Sequence, residues 1–122
     1  MPASVLVVDD NVKIQKMLGD LFSFDFDVVG LASDGHEAME KVTGADPDVI
    51  VVDYMMPGLD GIETARGIRD LRPHQHIILY TAFLDGDIYD RAKGAGVAEC
   101  VTKTDGPIEL EKVIRRLTGD PN

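Results

Sequence analysis

The sequence lacks the features that mark membrane-spanning, secreted and nucleic-acid-binding proteins. Its single cysteine, Cys100, excludes an internal disulfide and fits a reducing cytoplasm. No stretch reaches the roughly 20 apolar residues that a membrane-spanning helix needs, and no basic segment precedes the first apolar run as in a secretory signal. The 12 lysines and arginines are outnumbered by 22 aspartates and glutamates, and the net charge of -10 argues against direct binding to nucleic acid or an anionic membrane. We therefore expect a cytoplasmic protein.

Signatures of nucleotide binding and of a multidomain chain are also missing. No Gly-x-Gly-x-x-Gly follows the first apolar run and no Gly-Lys-Ser/Thr loop occurs, which argues against a nucleotide or flavin site. No internal repeat, low-complexity tract or linker-like stretch divides the chain. With 122 residues, we expect residues 1–122 to form one domain whose core needs neither a disulfide nor a structural metal.

Five short apolar runs, rich in valine and isoleucine, recur along the chain. They are mostly continuous rather than alternating, which is typical of parallel strands covered on both faces. The runs occupy residues 5–8, 28–32, 49–52 and 77–80, with a weaker one at 100–102.

Segments with helical periodicity lie between and after these runs. Apolar residues at helical spacing predict helices around residues 14–22, 62–68 and 110–117, and a weaker pattern predicts one over 85–94. Asp34 followed by Glu37 predicts a capping box that opens a further helix, with Gly44 at its end. Such alternation implies right-handed crossovers. The expected fold is a doubly wound α/β domain, a three-layer sandwich with helices on both faces of a parallel sheet.

Polar side chains follow four of the five runs, at the carboxyl edge where such sheets bind ligands. Asp9 and Asp10 follow the first run, Asp53 the third, Thr81 the fourth and Lys103 the fifth. Crowded carboxylates repel one another, and Mg²⁺ relieves this repulsion while keeping positions for water and phosphate oxygens. An ammonium and a hydroxyl beside them would contact a phosphoryl group. The residues therefore predict a site for a divalent cation and a phosphoryl group.

Each of these residues also has an ordinary structural interpretation. A single Asp after a strand is usually a turn or capping residue, and Asp10 could cap the first helix. Thr81 and Lys103 could be solvated strand ends. The placement of the whole set on one edge favours the functional interpretation, and the small side chain of Ala82 leaves room for a phosphoryl group.

A sharp turn is predicted after Asp53. Pro57-Gly58 suits the two central positions of a type II turn. This turn would fix the loop beside Asp53 and aim the carbonyl of Met55 at the metal. The side chains of Met55 and Met56 are expected to pack against the protein rather than to bind a ligand.

In order and spacing, these motifs resemble those of the receiver domains of two-component response regulators. The resemblance spans nearly the whole chain and rests on Asp9-Asp10, Asp53, Met56-Pro57-Gly58, Asp60-Gly61, Thr81-Ala82 and Lys103. It implies a flavodoxin-like (βα)5 fold whose five-stranded parallel sheet has the order 2-1-3-4-5. It also implies that residues 1–122 are a receiver domain alone, without an output domain.

The resemblance further implies a phosphoacceptor rather than a conventional enzyme. A sensor histidine kinase or a phosphotransfer protein would donate its phosphoryl group to Asp53. Mg²⁺, with Mn²⁺ as an alternative, would be held by Asp10, Asp53 and the carbonyl of Met55, with Asp9 contributing through water. The domain would assist its own phosphorylation and dephosphorylation.

The same resemblance implies a conformational switch. Thr81, Ala82 and Lys103 would contact the phosphoryl group, and Thr81 would turn toward it and bias the domain toward an active conformation. In the family, the face formed by the fourth helix, fifth strand and fifth helix contacts a second copy or an output domain. Whether the chain acts alone or belongs to a longer DNA-binding regulator stays open.

Two positions depart from the usual family pattern. Cys100 stands three residues before Lys103, where many receivers carry a switching Tyr or Phe. We interpret Cys100 as a small buried hydrophobic residue at a switch position, with Tyr80 and Phe83 as the aromatic residues nearby. Thr104 follows Lys103 where many receivers have Pro, and this resembles receivers that precede helix-turn-helix output domains of the NarL or FixJ kind.

Two other functions are compatible with a fold of this class. A phosphatase of the haloacid-dehalogenase type would carry a second Asp two residues after its nucleophile, where this chain has Met55, and no cap insertion is present. A receiver-like interaction module that is never phosphorylated typically loses an acidic residue or the lysine, and this chain has them all. The interaction module is the alternative that the sequence leaves open.

Overall fold

Strands and helices alternate through the computed structural model, which describes residues 2–120. The strands are β1 (Ser4–Val8), β2 (Asp27–Ala32), β3 (Val49–Val52), β4 (His76–Thr81) and β5 (Glu99–Thr102). The helices are α1 (Val12–Phe22), α2 (Gly35–Ala45), α3 (Gly61–Leu71), α4 (Gly86–Gly94) and α5 (Gly106–Thr118). None of the helices within residues 2–120 combines the length and apolarity that a bilayer crossing needs.

The five strands form one parallel sheet in the order β2-β1-β3-β4-β5. The doubly wound fold and the strand order 2-1-3-4-5 are thereby confirmed. Strand order reverses between β1 and β3, and Val8 at the end of β1 pairs with Val52 at the end of β3. The residues that follow these two strands therefore meet at the switch point, where this class of sheet binds ligands.

Two apolar layers cover the sheet. Successive residues of a strand point to opposite faces, so Leu6 and Ile50 pack against α2, α3 and α4. Val7 and Val51 instead pack against α1 and α5. The continuous apolar runs in the sequence reflect this burial on both sides.

Two predictions about helix ends were wrong in detail. Asp34 does cap α2, accepting a hydrogen bond from the Glu37 N–H, but the Glu37 carboxylate accepts from the N–H of Ser33 rather than completing a capping box. The helix continues past Gly44 and ends at Ala45, and the residue that caps it, Asp46, has a φ of +48°. Aspartate tolerates this left-handed conformation better than most residues, so a glycine is not required.

The start of α1 differs from the interpretation of Asp10 as a helix cap. Asn11, not Asp10, caps the helix, and its side chain accepts hydrogen bonds from the N–H groups of Lys13 and Ile14 at 3.0 and 3.2 Å. The Asp10 carboxylate is thereby left available at the edge of the sheet.

The loop between β3 and α3 bends at residues 57–59, where the turn is predicted. Gly58 has φ +74°, as the third position of a type II turn requires. The helix that follows begins with a complete capping box between Asp60 and Glu63. The spacing Asp-x-x-Glu would have revealed this box in the sequence, but it was not recognised.

Candidate functional site

Three carboxylates meet at the carboxyl edge of β1 and β3. Asp9 and Asp10 directly follow β1, and Asp53 directly follows β3. The backbone N–H of Asp53 donates to the carbonyl of Val8 at 3.0 Å, which ties the two strand ends together. One oxygen from each carboxylate lies within 4.8 Å of the others; Asp9 and Asp53 are buried and Asp10 is exposed.

Lys103 brings a positive charge to these carboxylates. Its Nζ lies 3.2 Å from Oδ2 of Asp9 and 3.5 Å from Oδ2 of Asp53. The backbone N–H of Lys103 donates to the carbonyl of Thr81 at 2.8 Å, so the residue is anchored to the end of β4. One ammonium thus contacts two carboxylates that belong to different strands.

Burial and charge oppose each other at Asp53. Burial raises the pKa of its carboxyl group above 3.8, the nearby Lys103 lowers it, and the Asp9 charge raises it again, with the net shift upward. The backbone N–H of Met55 near the carboxylate also lowers the pKa of Asp53, because it favours the ionised form. The result is a buried carboxylate that is more basic than an ordinary aspartate.

Burial and charge also oppose each other at Lys103, but there the effect of the neighbouring charges is the larger one. Burial by itself lowers the pKa of the ammonium, but the charges of Asp53 and Asp9 together outweigh it and raise the pKa above 10.5. Lys103 is therefore charged at neutral pH, and it partly offsets the repulsion between the two buried carboxylates.

The predicted phosphoryl-contacting residues also lie at this edge. Thr81 is the last residue of β4 and is buried, while the adjacent Ala82 is exposed. The hydroxyl oxygen of Thr81 accepts a hydrogen bond from the Phe83 N–H at 3.4 Å, a long contact that is easily exchanged. The structure thus brings Thr81, Ala82 and Lys103 to the edge that carries the carboxylates, and their contacts with a phosphoryl group stay a prediction.

The two methionines after Asp53 differ in their surroundings. Met56 is buried and packs in the layer beneath α3, as expected. The side chain of Met55 is 66% exposed, so the expectation that it packs was wrong. Met55 lies in the loop between β3 and α3, outside both apolar layers. The proposed contact of its carbonyl with a metal stays a prediction.

Gly61 shows why a glycine follows Asp60 in the motif. Its N–H donates to the carbonyl of Tyr54 at 2.8 Å, and a Cβ at this position would overlap the carbonyl oxygen of Asp53. The absence of a side chain therefore lets the first turn of α3 close against the segment that carries Asp53. The Asp60-Gly61 pair is part of the resemblance to receiver domains, and the structure supplies the packing reason for its glycine.

Gln15 is a residue of the site that the sequence patterns did not predict. This glutamine is buried in the first part of α1, and its amide donates to the carbonyl of Asp9 at 3.0 Å. A polar residue between Ile14 and Leu18, on the apolar face of the helix, was the signal that could have revealed it.

Cys100 behaves as a partly buried apolar residue. It packs against the layer formed by α2, α3 and α4, and burial raises the pKa of its thiol. Tyr80 is buried in the opposite layer, against α1 and α5, and Phe83 is 57% exposed. Neither ring therefore occupies the layer in which the Cys100 side chain lies.

The carboxylate set fits a small divalent cation. Two oxygens bound to one Mg²⁺ at about 2.1 Å each can lie at most about 4.2 Å apart. The three carboxylate oxygens lie within 4.8 Å of one another, so a small side-chain adjustment would bring them into range. Asp9, Asp10 and Asp53 carry more negative charge than Lys103 offsets, and oxygen ligands of this kind are those that Mg²⁺ and Mn²⁺ prefer.

Comparison with known proteins agrees with this arrangement. Residues 5–115 match the family model described as the response regulator receiver domain. A protein-glutamate methylesterase/protein-glutamine glutaminase from Symbiobacterium thermophilum is 37% identical over 118 residues, which are 94% of this chain and 33% of that protein. The chain therefore spans about a third of the length of this relative.

Solved structures with the same fold include several response regulators. The response regulator domain of Thermotoga maritima CheB has a TM-score of 0.90 and 31% identity, covering 100% of both chains. A two-component response regulator of the LuxR family from Aurantimonas sp. SI85-9A1 has a TM-score of 0.92 and 29% identity, covering 98% of this chain and 86% of that one. CheY-like and NarL receivers are also among the similar structures, in agreement with the resemblance that the motifs predict.

Proposed function

The chain belongs to the response regulator receiver domains of two-component systems, and within that family we propose that Asp53 is the residue that accepts the phosphoryl group. The observation that carries this proposal is the contact between two groups at the switch point of the sheet. Asp53 is a buried carboxylate with a raised pKa, and the Lys103 ammonium lies 3.5 Å from it.

The chemistry follows from the basicity of Asp53 and the charge of Lys103. An Asp53 oxygen attacks the phosphorus of a phosphohistidine on a sensor histidine kinase or phosphotransfer protein, and the P–N bond breaks as the P–O bond forms. A more basic carboxylate is the better nucleophile. Lys103 stabilises the negative charge on the phosphoryl oxygens, a contribution that is large in a site shielded from water.

Asp53 is a better candidate for the nucleophile than Asp9. Both oxygens of Asp9 have partners, since Oδ1 accepts from the Asn11 N–H at 2.9 Å and Oδ2 pairs with Lys103 at 3.2 Å. These contacts suit a residue that holds its neighbours in place. Asp10 is exposed, whereas Asp53 is buried.

Asp10, Asp53 and the carbonyl of Met55 would hold Mg²⁺, with Asp9 contributing through a water molecule. Mn²⁺ has the same ligand preference and would also bind. The bound cation supplies positive charge next to the phosphoryl oxygens. The fold holds the three carboxylates close together, and their mutual repulsion lowers its stability. A divalent cation would bind there because it relieves this repulsion.

The response to phosphorylation would pass through Thr81. Its hydroxyl accepts a long hydrogen bond of 3.4 Å from the Phe83 N–H and would exchange this contact for a phosphoryl group on Asp53, which the N–H of Ala82 would also contact. Cys100 lacks the ring that many receivers use at this step, so the switch would rely on Thr81 and the loop after β4. The face of α4, β5 and α5 would then contact an output domain or a second copy, in the cytoplasm.

The test is an intact-mass measurement after incubation with Mg²⁺ and a small-molecule phosphodonor such as acetyl phosphate. The expected result is a gain of one phosphoryl group that is lost without Mg²⁺ and absent in Asp53→Asn. A gain of the same size in Asp53→Asn would place the phosphoryl group elsewhere. A folded chain that gains nothing, even from a sensor kinase, and is not stabilised by Mg²⁺ would instead be the unphosphorylated interaction module.

A further inference from the structure

A buried glutamine lies directly behind the carboxylates. Gln15 is only 8% exposed, and its Nε2 lies 3.0 Å from the carbonyl oxygen of Asp9 and 2.9 Å from that of Ala32. The Ser33 hydroxyl is a third partner at 3.1 Å. Since the two carbonyls can only accept, the amide nitrogen and not the amide oxygen must face them.

The contact with Asp9 fixes a peptide group that lies between two site residues. The carbonyl of Asp9 and the N–H of Asp10 belong to one planar unit. A hydrogen bond that holds this plane therefore sets the directions in which both side chains leave the backbone. The contact with Ala32 ties the Gln15 amide to the end of β2. Ala32 is the last residue of that strand, and its carbonyl also accepts from the Asp9 N–H at 3.0 Å.

We propose that Gln15 is a positioning residue for the cation site, which it serves by holding the Asp9–Asp10 peptide against the end of β2. This inference rests on the proposed function, because it assumes that the carboxylates of Asp9 and Asp10 take part in binding a divalent cation. Gln15 does not touch the cation. Groups that orient metal ligands from behind typically change metal affinity when they are removed.

The chain contains a matched control at the amino ends of the strands, opposite the carboxyl edge that carries the carboxylates. Gln75 is also a buried glutamine, 4% exposed, and its Nε2 donates to the carbonyls of Pro47 at 2.9 Å and His76 at 3.3 Å. Pro47 precedes β3, and His76 begins β4, so this amide joins the amino ends of two strands. It satisfies the same kind of backbone groups far from the carboxylates.

The experiment compares Gln15→Met with Gln75→Met in the full chain. Methionine keeps the length and volume of the side chain but removes the amide donor. Mn²⁺ is titrated into each protein, and the free ion is followed by electron paramagnetic resonance, a readout that does not depend on phosphorylation. Thermal melting without metal is recorded in parallel, and both variants are expected to melt at lower temperature because buried carbonyls lose a partner.

The expected result is about tenfold weaker Mn²⁺ binding in Gln15→Met, against a change of less than about twofold in Gln75→Met. If Gln15→Met does not fold, Gln15→Asn replaces it, because its amide is one methylene too short to reach both carbonyls. The same loss of affinity is expected there.

Two different failures are distinguishable. If the unsubstituted chain and both glutamine variants bind Mn²⁺ equally well, Gln15 has only a structural role and the proposal is overturned while the cation site stands. If the unsubstituted chain does not bind Mn²⁺ at all, the cation site of the proposed function is wrong, and the positioning role falls with it.

Discussion

The ammonium of Lys103 lies 3.5 Å from the carboxylate of Asp53, although β4 separates the strands that these two residues follow. The lysine spans this distance because its backbone is fixed to the end of β4 and its long side chain lies across the edge of the sheet. The same ammonium contacts Asp9 at 3.2 Å. One ammonium is thus shared by two buried carboxylates, so its single positive charge cannot balance both negative charges. This shortage of positive charge affects both the stability of the domain and its affinity for cations.

Asp53→Asn is expected to stabilise the domain at neutral pH. The pKa of Asp53 is raised in the folded state, mainly by burial, so its favourable contribution to folding is complete below pH 3.8 and is lost as pH rises through the folded-state pKa. At pH 7 the ionised carboxylate therefore costs stability. We expect the melting temperature of the variant to exceed that of the unsubstituted chain by a few degrees at pH 7 in metal-free buffer, and by less at pH 4.

The control for this prediction is Asp70→Asn, which removes an exposed carboxylate of α3. It should change the melting temperature little at either pH. A stabilisation of Asp53→Asn that is as large at pH 4 as at pH 7 would contradict the assignment to a buried charge.

Mg²⁺ is expected to stabilise the unsubstituted chain and not Asp10→Asn. A ligand that binds only the folded state stabilises it by about 2.7 kcal/mol at 100 times its dissociation constant. Asp10 is exposed, so its replacement should change the metal-free melting temperature only slightly, and upward, because it relieves part of the repulsion among the carboxylates. Melting curves with and without Mg²⁺, at ionic strength matched with NaCl, measure the difference. Equal stabilisation of both proteins by Mg²⁺ would show that Asp10 is not a ligand.

Lys103→Met is expected to destabilise the domain because it leaves two buried carboxylates without their cation. Breaking a partly buried ion pair by removing one partner costs on the order of 2 kcal/mol or more. The loss should be largest near pH 7 and shrink toward acid pH, where Asp53 becomes protonated. Urea unfolding at pH 7 and at pH 4.5 measures the free energy of unfolding. Lys112→Met, which removes an exposed ammonium from α5, should change stability little, and a pH-independent loss in Lys103→Met would argue for lost packing alone.

Gly61→Ala and Gly44→Ala are expected to have opposite effects on stability. A Cβ at Gly61 would overlap the carbonyl oxygen of Asp53, so the loop that begins at Asp53 must shift, with a loss of roughly 2–3 kcal/mol. Gly44 lies within α2, and nothing lies within 4 Å of a Cβ there, so alanine should add about 0.5–1 kcal/mol. Urea denaturation of both variants tests the pair. A neutral effect of Gly61→Ala would mean that the turn at Asp53 accommodates a side chain.

The sequence alone determined the architecture and the identity of the residues at the carboxyl edge. Runs such as 5–8 and 49–52 carry their apolar residues continuously, and this local pattern is enough to identify strands buried on both faces. Because parallel strands end at a common edge, the positions of Asp9 and Asp53 directly after their strands could be read from the order of the residues.

Tertiary structure decided which polar groups meet. The amide of Gln15 is placed on backbone carbonyls from two strands, and the Glu37 carboxylate binds the Ser33 N–H instead of completing a capping box. The exposure of Met55 likewise depends on the path of the loop after β3. Local spacing is encoded in neighbouring residues, whereas these contacts depend on where elements distant in sequence come to lie. A pattern read along the chain therefore revealed the carboxylates of the site, and only the folded chain revealed what holds them in position.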